Sequence, residues 1–306
     1  MGAGTFDDAG VAALDGTDLA LVQSVDFFPP VGDDPWGFGR IAAANAVSDL
    51  YAMGARPFSA MNLVIFDSDA IPLEVLGTIL EGGADACREA GLLMLGGHSV
   101  KDKGVMFGMA VTGTVKPGQQ VTNAGARPGD VLYLTKALGC GCITTAARKG
   151  KAPEPVLKAA LEQMGALNRG AAEAMAAVGV HAATDVTGYG LLGHAAELAA
   201  GSGVDVVLHA GALPLLDGAR ELMARGFVSG GAARTLGHLA ERLDVDAGVD
   251  RPDVQLAADA ETSGGLLIAV PAGRAPDLER ELAARDLPVV AVGEVLPGSG
   301  RLRLTR

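Results

Sequence analysis

The chain has 306 residues and a formal net charge of −12, which excludes a general nucleic-acid binder because no basic surplus is available to neutralise phosphates. No apolar run reaches the roughly 20 residues that a helix needs to cross a bilayer. The first residues, MGAGTFDD, lack the basic and apolar regions of a secretory signal. We therefore expect a cytoplasmic protein without a membrane or nucleic-acid partner.

The first half of the chain alternates between strand and helix patterns. Apolar periodicity predicts strands at residues 19–26, 58–66, 92–95 and 105–115, and helices at 34–54 and 73–90. The GGHS stretch at 96–99 is predicted to be a Gly-rich loop that lets backbone N–H groups approach an anion. This order predicts a layer of helices packed against a sheet.

A stretch rich in Gly, Pro and polar residues at 116–130 predicts a domain boundary, with domains over 1–117 and 118–306. In the second half we predict strands at 131–135, 204–208, 266–270 and 289–292, and helices at 142–149, 155–178, 213–225 and 275–285, with a further helix that ends near 198. Residues 226–259 are predicted to be mostly loop. Both halves therefore indicate an α/β fold with mixed sheets.

Aspartates recur at predicted strand ends, turns and helix faces, and the candidates are Asp7, Asp8, Asp26, Asp33, Asp34, Asp49 and Asp185. Asp34, followed by Pro35, has the pattern of a helix N-cap, and Asp33 is interpreted as a solvated turn residue. Asn45 and Asp49 lie four residues apart and share a helix face. If several of these carboxylates converge, they form a hard-oxygen site suited to Mg²⁺.

The histidines and cysteines give weaker signals. His194 is interpreted as a hydrogen-bonding residue at a helix start, and His98 is left open between a ligand contact and a structural role. Cys140 and Cys142 are separated by one Gly, without the second cysteine pair that a zinc site needs. We interpret them as small residues in a turn before a helix.

Four segments together resemble selenophosphate synthetase: VDFFPPVGDDPWGFGRIAAANAVSDLYAMGARP (25–57), GGHS (96–99), ATDVTGYGLLGHAAEL (183–198) and ETSGGLLIAV (261–270). The resemblance covers essentially the whole chain. It implies the two-domain fold of the aminoimidazole ribonucleotide synthetase-like superfamily, in which the N-terminal sheets of two subunits pair into a barrel and make a homodimer. It also implies a reaction in which ATP, selenide and water become selenophosphate, AMP and orthophosphate.

The same resemblance assigns site residues by position. Asp8, Asp49 and Asp185 match the family's magnesium ligands. The positions that match nucleotide contacts, with Asn45 added as a phosphate contact, are Thr5, Phe6, Asp7, Asp26, Asn45, Asp49, Gly97, His98 and Ser99.

The sequence departs from the family at its start, where a Gly-rich segment with a reactive Cys or selenocysteine and a Lys is expected. Neither residue is present in that position, so no catalytic residue is named and impaired activity is expected of this chain. Two alternatives follow: a nucleotide-binding remnant without turnover, and another ATP-dependent small-molecule kinase of the same superfamily.

Overall fold

The computed structural model describes residues 7–306, so the predicted contacts of Thr5 and Phe6 lie outside the described residues. A first sheet is built from the strands β1 (Gly10–Ala13), β2 (Ala20–Phe28), β3 (Arg56–Phe66), β4 (Leu93–Lys101) and β5 (Val105–Val115). Their order across the sheet is β1-β2-β5-β3-β4. The β3–β4 pair is parallel and the other pairs are antiparallel, so this sheet is mixed as predicted.

Two long helices, α1 (Pro35–Ala52) and α2 (Leu73–Ala90), pack with this sheet. The α1 helix begins as predicted: the Asp34 carboxylate accepts hydrogen bonds from the backbone N–H groups of Trp36 and Gly37 at 3.1 and 3.0 Å. Nearly every residue of α1 from Phe38 onwards is buried. Besides the first sheet and α2, this helix contacts elements of the second half of the chain.

The two helices approach each other closely through glycines. A Cβ atom added at Gly39 would lie 1.9 Å from the Ile79 carbonyl oxygen, and one added at Gly82 would lie 2.0 Å from the Trp36 carbonyl oxygen. The backbones of α1 and α2 are therefore in contact where the two helices cross, and they can come this close only because Gly39 and Gly82 have no side chain.

Replacing Gly39 with Ala is expected to lower the free energy of unfolding by about 3 kcal/mol, because the new methyl group must push two helix backbones apart. Gly77→Ala on α2 is the matched control, since a Cβ atom there meets nothing within 4 Å, and it is expected to stabilise the chain by up to about 1 kcal/mol. Urea unfolding of both variants measures the difference. If the Gly39→Ala and Gly77→Ala variants had equal free energies of unfolding, the close approach of the α1 and α2 backbones at Gly39 would be contradicted.

A second sheet is formed by β6 (Asp130–Leu134), β7 (Ala182–Asp185), β8 (Val204–His209), β9 (Leu243–Val245), β10 (Leu266–Pro271), β11 (Ala291–Pro297) and β12 (Leu302–Thr305). Its order is β7-β10-β6-β11-β8-β12-β9. It too is mixed, because β12 runs parallel to β8 and β9 and the other pairs are antiparallel.

The helices of the second half are α3 (Cys140–Arg148), α4 (Glu154–Gly165), α5 (Arg169–Val178), α6 (Gly190–Ser202), α7 (Ala219–Ala224), α8 (Gly230–His238), α9 (Arg251–Ala257) and α10 (Ala275–Ala283). Among the helices in the described part of the chain, none is both long and apolar enough to span a membrane. The cytoplasmic location stays a prediction, as does the domain boundary near residue 117.

Several predicted elements were wrong. The stretch 226–259 is not mainly loop, since it contains α8, β9 and α9, and the predicted helix 155–178 is two helices that separate at residues 166–168. The predicted GGHS loop lies inside β4, where backbone pairing with β3 compensates for the low strand preference of Gly. The two terminal strands, β1 and β12, were missed.

Candidate functional site

Four carboxylates meet where the two halves of the chain touch. Asp26 lies in β2 and Asp49 on α1, whereas Asp185 ends β7 and Asp8 precedes β1. Burial is the main cause that raises the pKa of Asp49, and repulsion from Asp185, Asp26 and Asp8 adds to it. The pKa of Asp8 is raised by burial and then by Asp185, and burial raises the pKa of Asp185 to about 6. The predicted convergence of these aspartates is therefore present in the fold.

Three of the four carboxylates accept a hydrogen bond from a neutral side chain. The Thr184 hydroxyl donates to Asp8 at 2.7 Å and the Asn45 amide donates to Asp26 at 3.3 Å. The Ser24 hydroxyl donates to Asp49, and the nearby Ser48 side chain lowers the pKa of Asp185 against the effect of burial. Within residues 7–306, none of the four forms an ion pair with a Lys, Arg or His side chain. The buried Lys136 ammonium nevertheless acts on Asp185 without forming an ion pair, and its charge lowers the pKa of that carboxyl.

Unpartnered oxygens complete this picture. Asp7, Asp8 and Asp185 each have a buried Oδ2 atom with no hydrogen-bond partner, although buried polar atoms almost always have one. In the described part of the chain no three His, Cys, Asp or Glu side chains are arranged to hold a metal ion as they stand. These side chains are carboxylates that repel one another, and several of their oxygens have no hydrogen-bond partner. Such a group nevertheless fits a divalent cation that brings further oxygen ligands with it.

The GGHS residues are placed relative to this cluster by the register of the first sheet. Asp26 lies opposite Met109, which lies opposite Asn62, which in turn lies opposite Gly97. Asp26 and Gly97 therefore share one row across the sheet. A Cβ atom at Gly97 would lie 2.2 Å from the Asn62 carbonyl oxygen, so the close approach of the two strands there requires Gly.

His98 belongs to the adjacent row, which joins Phe27, Gly108, Leu63 and His98. Because successive residues of a strand point to opposite faces, the His98 side chain lies on the face of the sheet away from Asp26. Within one chain the structure does not bring the His98 side chain to the carboxylates. Its role as a nucleotide contact stays a prediction.

Sequence reasoning missed the neutral donors and further buried groups. Lys136 is 7% exposed, and its Nζ donates to the carbonyl oxygens of Ala166 and Ser263 at 2.7 Å each; burial lowers the pKa of this ammonium to about 8. Asn62 has an unpartnered buried Oδ1 atom. Its position in the middle of an apolar strand, FSAMNLVIF, is a signal that could have identified it.

His194 has the structural role predicted for it. It lies in the first turns of α6, and its Nε2 accepts a hydrogen bond from the Thr187 backbone N–H at 3.1 Å. Burial lowers the pKa of this imidazole to about 4, so the ring is neutral at physiological pH.

The cysteines also match the structural interpretation. Cys140 and Cys142 begin α3 and, like Cys87, are buried free thiols. Burial raises the pKa of all three thiols, that of Cys87 to about 11.

All three thiols are expected to be unreactive towards Ellman's reagent in the folded chain at pH 8, because the thiolate is the nucleophile. The measurement is the absorbance of released thionitrobenzoate before and after addition of guanidinium chloride, with all three thiols reacting after unfolding. Rapid reaction of Cys140 or Cys142 in the native chain would revive a redox role for the pair.

Comparison with known proteins identifies the family. Residues 6–115 match the family model "AIR synthase related protein, N-terminal domain", and residues 127–304 match "AIR synthase related protein, C-terminal domain". The selenide, water dikinase of Myxococcus xanthus is 47% identical over 300 residues, which cover 97% of this chain and 85% of the relative. That of Geobacter metallireducens is 46% identical over 297 residues, with 97% and 86% covered.

Solved structures support the fold alone, since their identities are low. Protein tt0281 from Thermus thermophilus aligns with a TM-score of 0.74 at 24% identity, over 97% of this chain and 88% of the other. Thiamine-monophosphate kinase from Stenotrophomonas maltophilia aligns with a TM-score of 0.72 at 19% identity, over 96% and 90%. The predicted fold class, a two-domain AIR synthase-like α/β fold with mixed sheets, is confirmed. On its family matches and its identity to these relatives, the chain belongs to the selenide, water dikinase family.

Proposed function

We propose that this chain synthesises selenophosphate, converting ATP, selenide and water into selenophosphate, AMP and orthophosphate. The observation that carries the proposal is its 47% identity, over 97% of the chain, to a selenide, water dikinase. The carboxylate cluster at the meeting of the two halves supports it, because carboxylates can hold the divalent cations that neutralise the phosphates of ATP.

Asp8, Asp49 and Asp185 are the proposed magnesium ligands. Phosphates cannot lie beside several carboxylates unless cations intervene, and bound Mg²⁺ would supply the charge that stabilises a leaving phosphoryl group. The protein's own contribution is to hold these carboxylates buried and oriented. The Thr184 and Ser24 hydroxyls each occupy one oxygen of Asp8 and Asp49, and so fix which oxygen remains for a ligand.

The nucleotide is proposed to lie along the row of the first sheet that joins Asp26 to Gly97. The Asn45 amide donates to Asp26 from α1, and Asn45 is the proposed contact for a phosphate oxygen of the nucleotide. The proposed contacts are Thr5, Phe6, Asp7, Asp26, Asn45, Asp49, Gly97, His98 and Ser99.

The reaction is tested by incubating the chain anaerobically with ATP, Mg²⁺ and selenide, and following nucleotides by chromatography and phosphorus products by ³¹P NMR. Selenide-dependent AMP with a selenophosphate signal is the expected result. Formation of ADP alone would indicate a small-molecule kinase of the same superfamily. Nucleotide binding with neither product would indicate a binding protein without turnover.

A homodimer is proposed from the face of the first sheet opposite its helices. Exposed apolar side chains gather there, and they are Val25, Phe27, Met61, Leu95 and Val100, each 45–63% exposed. The register aligns Val25, Ala110 and Met61 in one row, and Phe27, Leu63 and His98 in the next row of the same face. A continuous apolar sheet face is typical of a protein interface, and pairing two such faces would produce the barrel that the resemblance implies.

A further inference from the structure

A buried turn between α9 and β10 fixes which way the Asn45 amide faces. The Ser263 backbone N–H donates to Asn45 Oδ1 at 2.9 Å, and Asn45 Nδ2 donates to Asp26 Oδ2 at 3.3 Å. A backbone N–H can only donate, so it requires the amide oxygen on its own side and directs the amide nitrogen towards Asp26. Within residues 7–306, Asp26 is the only acceptor of this nitrogen. Its second N–H is therefore left for an acceptor such as a phosphate oxygen.

The backbone of this turn is strained at Ser263. The residue is 1% exposed and has a φ of +50°, in the left-handed region that costs free energy for residues other than Gly. Its own side chain does not compensate, because the buried Oγ has no hydrogen-bond partner among the described residues. Strain of this kind persists only where surrounding contacts over-determine it. Contacts from other elements must therefore hold the Ser263 N–H towards α1.

Lys136, just after β6, supplies such a contact. Its Nζ donates to the carbonyl oxygens of Ser263 and Ala166, each at 2.7 Å, and hydrogen bonds from a charged donor are about twice as strong as neutral ones. Lys136 is 7% exposed, and burial lowers the pKa of its ammonium to about 8. A Cβ atom added at Gly265 would lie 2.3 Å from the Lys136 backbone nitrogen. The turn is thus held by the backbone and by the ammonium of the same residue.

We propose that Lys136 is a positioning residue of the nucleotide site: its ammonium holds the Ser263 turn, and the turn keeps the Asn45 amide nitrogen facing Asp26 and the phosphates. This inference rests on the proposed function, and Lys136 is not among the residues that the family resemblance assigned. Lys136 itself does not touch the nucleotide. It acts through Ser263 and Asn45.

The test compares Lys136→Met, Asn45→Ala and the double variant, with a non-hydrolysable ATP analogue titrated calorimetrically in the presence of Mg²⁺. Lys136→Met removes the donors and is expected to weaken binding about tenfold, because the Asn45 hydrogen bond to a charged phosphate is lost. Asn45→Ala should weaken binding at least as much, and the double variant no further, since both substitutions remove one contact. Lys158→Met is the control for the lost charge, because this side chain is 73% exposed on α4; its affinity should not change.

A spectrum of the side-chain amides distinguishes positioning from a general loss of stability. The chain has four asparagines, so labelling asparagine with ¹⁵N gives four side-chain amide signals, and Asn45→Ala identifies one of them by its absence. The Asn45 signal should shift in Lys136→Met and should not shift in Lys158→Met. An unshifted Asn45 signal in Lys136→Met would overturn the proposal.

Two affinity results would overturn it as well. Wild-type affinity in a Lys136→Met chain with a lowered melting temperature would assign a merely structural role, and a further tenfold loss when Lys136→Met is added to Asn45→Ala would show that Lys136 acts elsewhere. If Lys136→Met does not fold, Lys136→Gln, which is uncharged and one atom shorter, replaces it in both experiments under the same criteria. A wild-type chain that binds no nucleotide would overturn the proposed function together with this inference, and the wild-type titration distinguishes that case.

Discussion

Asp49→Asn is expected to reduce Mg²⁺-dependent nucleotide affinity by about 100-fold or more and, at the same time, to raise the melting temperature of the ligand-free chain. Asp49 is 9% exposed, and repulsion from Asp185, Asp26 and Asp8 adds to the burial that raises its pKa. Removing its charge relieves this repulsion without changing the side-chain volume. It also removes a ligand from the proposed cation site, so affinity and stability should change in opposite directions.

Calorimetric titration of a non-hydrolysable ATP analogue with and without Mg²⁺ measures the first effect, and thermal unfolding without ligand measures the second. Asp15→Asn is the matched control, because this aspartate is exposed and lies outside the cluster; neither quantity should change. Unchanged affinity in Asp49→Asn would remove Asp49 from the proposed ligands. A loss of affinity together with a loss of stability would instead indicate damage to α1.

Local patterns predicted the part of this site that depends on one element. The helix predicted at 34–54 is Pro35–Ala52, with Asp34 at its cap, and the four-residue spacing placed Asn45 and Asp49 on one face. Both are indeed directed at the carboxylate cluster. Such predictions succeed because a cap and a helical period are properties of adjacent residues.

The donors that orient the carboxylates could not be predicted in the same way. Ser24 and Thr184 lie in strands of different sheets, and nothing in the local sequence distinguishes a serine that faces Asp49 from one that faces solvent. Strand assignment failed at 96–99 for a related reason. Gly97 pairs with Asn62 of β3, and Gly96 lies in the register shift just before this pair. The propensity of the segment alone does not reveal such a partner strand.

Short elements in the second half were missed because their signals conflict. The stretch 226–259 has many Gly and Asp residues, yet Ser229 caps α8 through a hydrogen bond to the Ala232 N–H. Its helices are only nine and seven residues long, and such short segments are marginal until tertiary packing stabilises them. The core that supplies this packing includes Ala232, Leu239 and Ala257, which became neighbours only in the fold.

Val25→Asp on the open face of the first sheet is expected to convert a dimer into a monomer. Val25 is 57% exposed in the single chain and lies in the row that continues through Ala110 to Met61. In the proposed barrel this position is buried against the partner, where an unpaired carboxylate would cost several kcal/mol. In the monomer the same residue faces solvent, so the fold of the chain should survive.

Sedimentation velocity at micromolar concentration measures the change, and Val245→Asp is the control because this valine is 41% exposed on the edge strand β9 of the other sheet. Nucleotide affinity of the Val25→Asp monomer then tests His98. His98 lies on the same face as Phe27 and Leu63, away from the row that joins Asp26 to Gly97 in its own chain. It can therefore contact only a nucleotide bound by the partner subunit, and affinity should fall on dissociation. A wild-type monomer, or a Val25→Asp chain that remains dimeric, would contradict the pairing of these faces; full nucleotide affinity in the monomer would instead remove His98 from the proposed contacts.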